Sequence, residues 1–226
     1  MHDDIAWTHR IVPLGQYVLR AACEEAATWK GPDAPVVSVN LSPRQLLDDR
    51  LISDVRDALA EHGLPPRRLV LEVTETSVMT DPDMALRRLR ELRALGVGIA
   101  IDDFGTGYSS LEYLRTLPAT TVKLARPFVM DLAGDPANAA LASGIIDLAH
   151  ALGLLVVAEG IEEIEQQLAL LSMGCDLAQG YLFDRPLTAA DARARLQPET
   201  TQFTDSTRFT ESETPSAGGA ARAARA

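Results

Sequence analysis

Six short apolar runs, each carrying a polar residue near its end, alternate along this chain with amphipathic stretches. That alternation limits the fold more than any other feature. The runs are PVVSVNLS (35–42), RLVLEVTE (68–75), GVGIAIDDFG (96–105), TTVKLA (120–125), LLVVAEGI (154–161) and AQGYLF (178–183). Brief runs of β-branched and aliphatic residues suit strands buried on both faces of a parallel sheet. Between them, helical spacing runs from about Pro13 to Lys30, Ser53 to His62, Pro82 to Leu95, Asn138 to Leu152 and Glu162 to Met173. Leu86, Leu89, Leu92 and Leu95 form an i, i+3 stripe with arginines on the opposite side. Gly63, Gly96, Gly153 and Gly174 each stand just past a helix end, where a left-handed C-cap is wanted. Strand and helix in alternation, joined by short loops, predict an α/β fold with a parallel sheet.

The polar residues within the apolar runs are not scattered. Asn40, Glu72 with Glu75, Asp102 with Asp103, Lys123, Glu159 and Gln179 each fall near the C-terminal end of a run. Successive leading positions are 32, 30, 21, 36 and 20 residues apart, each about one strand–helix unit. In a (β/α)₈ barrel the C-terminal strand ends converge on one mouth, where active sites are built. Such a fold gathers several carboxylates, an amide and a lysine in one place. A buried unpaired carboxylate is costly, and one lysine cannot neutralise so many. A hard divalent cation held by oxygen ligands, Mg²⁺ or Mn²⁺, is the economical partner.

Charge and composition exclude other classes. The 21 basic and 32 acidic residues give a net charge of −11, opposite to the positive surface that a nucleic-acid polymer or an anionic membrane requires. A small anionic ligand stays admissible, because bound cations reverse the local field. No apolar run reaches the ~20 residues of a membrane span. Cys23 and Cys175 are too few and too far apart for a disulfide framework, and read as buried thiols in a reducing cytoplasm. Asp102-Asp103-Phe104-Gly105 contains the DFG of protein kinases, but no glycine-rich phosphate loop and no HRD loop accompany it. Ser109-Ser110 lacks a nucleophile elbow, and none of His2, His9, His62 and His150 pairs with a nucleophile, which argues against acyl transfer. From Pro198 onward only Phe203 and Phe209 are large and apolar, too little to offset the entropy of ordering. Residues 198–226 therefore read as a disordered tail and 1–197 as the folded domain.

The ordered motifs SVNLSPRQL (38–46), LEVTETSVM (71–79), IDDFGTGYSSLEYL (101–114), VKLARPFV (122–129), VVAEGIEE (156–163) and CDLAQGYLFDRP (175–186) resemble those of the EAL domain family. The resemblance covers roughly residues 11–196. It implies a TIM-like (β/α)₈ barrel that hydrolyses cyclic di-GMP to the linear dinucleotide pGpG, with homodimers formed around the DDFG loop. By motif, Asn40, Glu72 and Asp102 match metal ligands, Asp102 bridging two ions, and Asp103 matches a ligand of the second ion. Lys123 matches the lysine that contacts the attacking water, and Glu159 lies in the same shell. Gln179 matches a residue beside the substrate pocket. Glu75 resembles the glutamate that braces the DDFGTGYS loop, whose tight turn Gly105 and Gly107 permit.

Two departures from the family pattern carry their own expectations. The family's first two strands, the second bearing the signature Glu-Ala-Leu, have no counterpart here, so an incomplete barrel with two open sheet edges is expected. The family's Lys-x-Asp motif reads Lys123-Leu124-Ala125. Losing two anionic ligands weakens both metal sites. Two functions follow: a cyclic di-GMP phosphodiesterase, or a module that binds cyclic di-GMP or a protein partner without turnover. Either is compatible with the chain being part of a longer protein that carries a sensory or diguanylate cyclase domain.

Overall fold

The computed structural model describes residues 10–31, 34–106, 115–132 and 134–196. The expected disordered tail and Gly107 lie outside the described residues. Six parallel strands follow one another in sequence order across a single sheet: β1 (Val37–Asn40), β2 (Leu69–Thr74), β3 (Gly98–Phe104), β4 (Thr121–Leu124), β5 (Leu155–Ala158) and β6 (Leu177–Ala178). Among the described residues β1 and β6 have one neighbour each, so the sheet is open at both edges. The expected parallel α/β order and incomplete barrel are what the chain forms.

The helices stand where periodicity places them. They include α1 (Ile11–Thr28), α2 (Pro43–Leu46), α3 (Leu51–His62), α4 (Glu75–Met79), α5 (Pro82–Leu95), α6 (Arg126–Met130), α7 (Pro136–Ala151), α8 (Ile164–Ser172) and α9 (Ala189–Arg195). Gly63, Gly96, Gly153 and Gly174 all have positive φ at or just past helix ends, as expected. The short helices α2, α4, α6 and α9 are not visible in the periodicity, because one or two turns cannot display an apolar stripe. Side-chain caps mark three of them, from Ser42, Thr74 and Thr188 at the starts of α2, α4 and α9. Ser42 accepts from the Gln45 amide while Gln45 Oε1 accepts from the Ser42 amide, a reciprocal capping box at the start of α2.

Alternate strand residues separate the sheet into two unlike faces. Leu69, Leu71, Val73, Ile99, Ile101, Val122, Leu124, Val156 and Ala158 are buried in the core under the helices, where Leu89 and Leu92 of α5 also sit. The other face carries Asn40, Glu72, Thr121, Lys123 and Leu155, and Leu155 is 48% exposed. The strands are therefore not buried equally on both faces, as their apolar runs suggest. A closed barrel fills its interior with side chains from all around the ring, and six unclosed strands leave part of that face to solvent.

The last strand is also shorter than its sequence suggests. The run 178–183 yields only Leu177–Ala178 in the sheet, because the chain then turns onto the backbone of Ile161. Ile161 N donates to Gln179 O at 3.1 Å and Leu182 N donates to Ile161 O at 3.0 Å. The turn brings Gly180 so close that a Cβ there would lie 2.1 Å from Ile161 O. At the opposite end of the chain order, Arg193 Nε of α9 reaches Glu25 Oε1 of α1 at 3.0 Å, joining the first and last described helices. Gly180→Ala is expected to cost roughly 1–3 kcal/mol of stability by overpacking. Chemical denaturation of the purified chain measures it, and unchanged stability would show that the Ile161 backbone can move aside.

Candidate active site

The strand ends carry the polar residues to one place, and a bulge determines how they meet. Ile101 pairs with Val122 and Phe104 with Leu124, so two residues, Asp102 and Asp103, oppose the single Lys123. The extra residue has a left-handed backbone: Asp103 has φ 54°, the only non-glycine positive value among the described residues. Aspartate tolerates this conformation better than most residues. A bulge beside a site re-aims side chains that a regular strand would send to opposite faces. Here it lets adjacent aspartates share one mouth. Asp103 N donates to Asp102 Oδ1 at 3.0 Å, and Thr106 Oγ1 donates to Asp103 O at 2.8 Å, fixing the turn that follows. Gly105 takes φ 90°, and a Cβ there would stand 2.9 Å from the Phe128 ring, so the expected need for glycine is met in both backbone and space.

Lys123 is the centre of the cluster. Its Nζ lies 2.6 Å from Glu72 Oε2, 2.6 Å from Glu159 Oε1 and 3.2 Å from Asp102 Oδ1. Lys123 and Glu72 are buried, 5% and 7% exposed, while Asp102 and Glu159 are half-buried. Burial by itself would lower the lysine pKa, but hydrogen bonding to Glu159 and Glu72 and their charges outweigh it, so the ammonium is held well above its ordinary value. Glu159 moves upward as well, chiefly through burial, with Asp102 and Glu72 adding to it and Lys123 opposing. A lone ion pair would instead lower its carboxyl.

The remaining residues from the sequence reading divide clearly. Asn40 ends β1 directly beside Glu72 in the parallel register and is exposed. Gln179 stands one residue past β6, exposed, with its amide N donating to Ala158 O at 2.8 Å. Among the described residues neither side chain hydrogen-bonds to the acid cluster. Glu75 opens α4 and is buried, yet neither carboxylate oxygen finds a hydrogen-bond partner among the described residues. Its place in the first turn gives it the favourable end of the helix dipole. Ala125 is fully buried between β4 and α6, at an N-cap position with no side-chain acceptor. Arg126, the first residue of α6, and Glu162, in the loop after β5, carry no signal in the sequence beyond that of surface charges, yet form an ion pair at 2.6 Å. The stem of Arg126 lies over Gly160, where a Cβ would meet its Cγ at 2.6 Å.

Asp102, Asp103 and Glu159 each offer an oxygen within 4.8 Å of the others. Carboxylates in such a group suit a hard divalent cation, and the negative excess around a single ammonium calls for one. The chemistry of the donors present therefore fits the implied metal, even with Ala125 supplying no oxygen.

A parallel α/β sheet with acids gathered at its C-terminal strand ends defines the class. The EAL domain pattern matches residues 4–186, and the chain belongs to that family. It is 47% identical over 191 residues to the bifunctional diguanylate cyclase/cyclic di-GMP phosphodiesterase MucR of Pseudomonas aeruginosa, covering 84% of this chain and 28% of that protein. The structure of the PaMucR phosphodiesterase in complex with c-di-GMP matches with a TM-score of 0.79 at 45% identity, over 83% of this chain and 76% of that one. The manganese/cy-diGMP complex of Klebsiella pneumoniae BlrP1 matches with a TM-score of 0.71 at 31% identity, over 80% of this chain and 45% of that one. The chain spans about a quarter of the length of the curated relatives it matches. Among the described residues no helix is long and apolar enough to cross a membrane.

Lys123→Met removes the base that three acids share. Breaking a buried ion pair from one side typically costs about 3–5 kcal/mol. The variant is expected to lose stability on that scale when denatured in the presence of a chelator. A loss below about 1 kcal/mol, within the range of a surface pair, would show that solvent already screens the cluster.

Proposed function

We propose that this chain is a cyclic di-GMP phosphodiesterase module that opens the cyclic dinucleotide to linear pGpG. The single observation that carries the reading is the cage of Glu72, Asp102 and Glu159 around Lys123, with the β3 bulge presenting Asp103 alongside. In this reading Glu72, Asp102 and Asp103 hold divalent cations, and Asn40 at the end of β1 contributes its amide oxygen. When bound, Mg²⁺ or Mn²⁺ in a two-ion site lowers the pKa of water and stabilises charge on the phosphoryl oxygens. Lys123 orients the attacking water by its N–H groups. Glu159, 2.6 Å from Nζ, stands beside it in the same shell around the ions and the water. The water oxygen forms a bond to phosphorus and the bond from phosphorus to the 3′ oxygen breaks, the proton given up by the water being returned to the 3′ oxygen, which leaves a 5′-phosphate and a 3′-hydroxyl. Gln179 stands beside the substrate pocket, and Glu75 supports the loop that begins at Asp102. The cytoplasm and a homodimer belong to the same reading, the second read directly by sedimentation velocity.

One observation favours the second reading, binding without turnover. Ala125 stands where the family places an aspartate, and the buried methyl offers a metal nothing.

Incubation of the purified chain with cyclic di-GMP and Mn²⁺, followed by chromatography, is expected to yield pGpG. Asp102→Asn is expected to reduce the rate at least a hundredfold, on the scale of removing one charge-stabilising group. Ala125→Asp is expected to raise the rate about tenfold and to add an N-cap worth roughly 1 kcal/mol. No product from either the native chain or Ala125→Asp, together with calorimetric binding of cyclic di-GMP in Ca²⁺, would replace hydrolysis by the receptor reading. Absence of both product and binding would remove cyclic di-GMP from the account.

A further inference from the structure

Lysine has three N–H donors, and three carboxylates stand 2.6, 2.6 and 3.2 Å from Lys123 Nζ. An ammonium saturated by oxygen atoms in this way resembles a cation in its coordination shell more than the tip of a surface lysine. The site it occupies is bounded by Glu72 on β2, Asp102 on β3 and Glu159 beyond β5. A second place lies beside it, among Asp102, Asp103 and Glu159, whose oxygens approach within 4.8 Å of one another. The two places share Asp102 and Glu159 but differ in what fills them: one already holds a positive charge from the protein, and the other holds none among the described residues.

We propose that Lys123 is a resident stand-in cation, so that divalent ions load this site in two unequal steps. The first ion enters among Asp102, Asp103 and Glu159 and leaves the ammonium on Glu72. The second reaches Glu72 only when Nζ withdraws from it. This inference rests on the metal-dependent reading above and adds an order of loading to it.

Charge accounting supports the order. Four acids face one ammonium, so the first divalent ion relieves an excess of negative charge without displacing anything. The second must enter close to a fixed positive charge and compete with an ion pair already made at 2.6 Å. The stand-in offsets the mutual repulsion of the acids in the absence of metal.

Titration of the intact chain with Mn²⁺ alone, without nucleotide, tests this by the electron paramagnetic resonance signal of the free ion. The wild type is expected to bind a first ion at least tenfold more tightly than a second. Lys123→Met is expected to tighten the second step at least tenfold and to gain a larger rise in Tm on adding Mn²⁺ than the wild type. Lys123→Gln, which keeps a hydrogen-bonding tip beside Glu72, serves in the same titration if Lys123→Met does not fold. Two equal steps in the wild type, or a second step unchanged when the ammonium is removed, would overturn the proposal. These readouts do not involve turnover. Stepwise binding without cyclic di-GMP hydrolysis would strike the phosphodiesterase reading and leave the stand-in intact.

Discussion

Three carboxylates drawn around one buried ammonium are the constraint on which the rest of this structure depends. Glu72, Asp102 and Glu159 come from three separate strand ends, and Lys123 comes from a fourth. Their meeting requires a parallel sheet, because only parallel strands bring their C-terminal ends to a common mouth. It also requires helices on the far face, since the apolar residues that alternate with these acids must be covered. The core beneath the sheet and the charge above it are two consequences of one strand pattern.

The cluster tolerates its own chemistry by sharing. Burial opposes every charge in it, yet the lysine is held above its ordinary pKa because its neighbours need its proton more than burial resists it. Glu159 is driven the other way from a simple ion-paired acid, chiefly by burial, with Asp102 and Glu72 adding to it. A site with more acid than base binds metal readily, and it also depends on what replaces the metal before it arrives. The bulge at Asp102 and Asp103 concentrates that excess by placing two acids opposite one residue.

Much of this was legible in the chain. The six apolar runs and their glycine-capped helices fixed the order and the parallel arrangement, because their residues bury or cap in only one way. Asn40, Glu72, Asp102, Lys123 and Glu159 stood out because polar residues are expensive inside apolar runs. Asp103 could be named from its motif, but no local signal in the sequence foretells that its backbone turns left-handed. That conformation arises from a register shift against β4, which is a property of the pair of strands. Arg126 and Glu162 are hidden for a similar reason: each looks like an ordinary surface charge until the start of α6 and the loop after β5 are folded together. The shortness of β6 followed from the close approach of Gly180 to Ile161, a contact between segments that sequence spacing does not reveal.

By itself, then, the sequence determined the alternation, the covered face, the strand-end acids and the family, all of which rest on local pattern and on residue types at set spacing. Only the tertiary structure decided that Lys123 sits equidistant from two glutamates, that two adjacent aspartates share one mouth, and that Glu75 is buried without a partner. The physical reason is that pattern dictates which face of an element is buried. Distances between charges depend on register, bulges and side-chain reach, and these are settled only when separate strands are laid side by side.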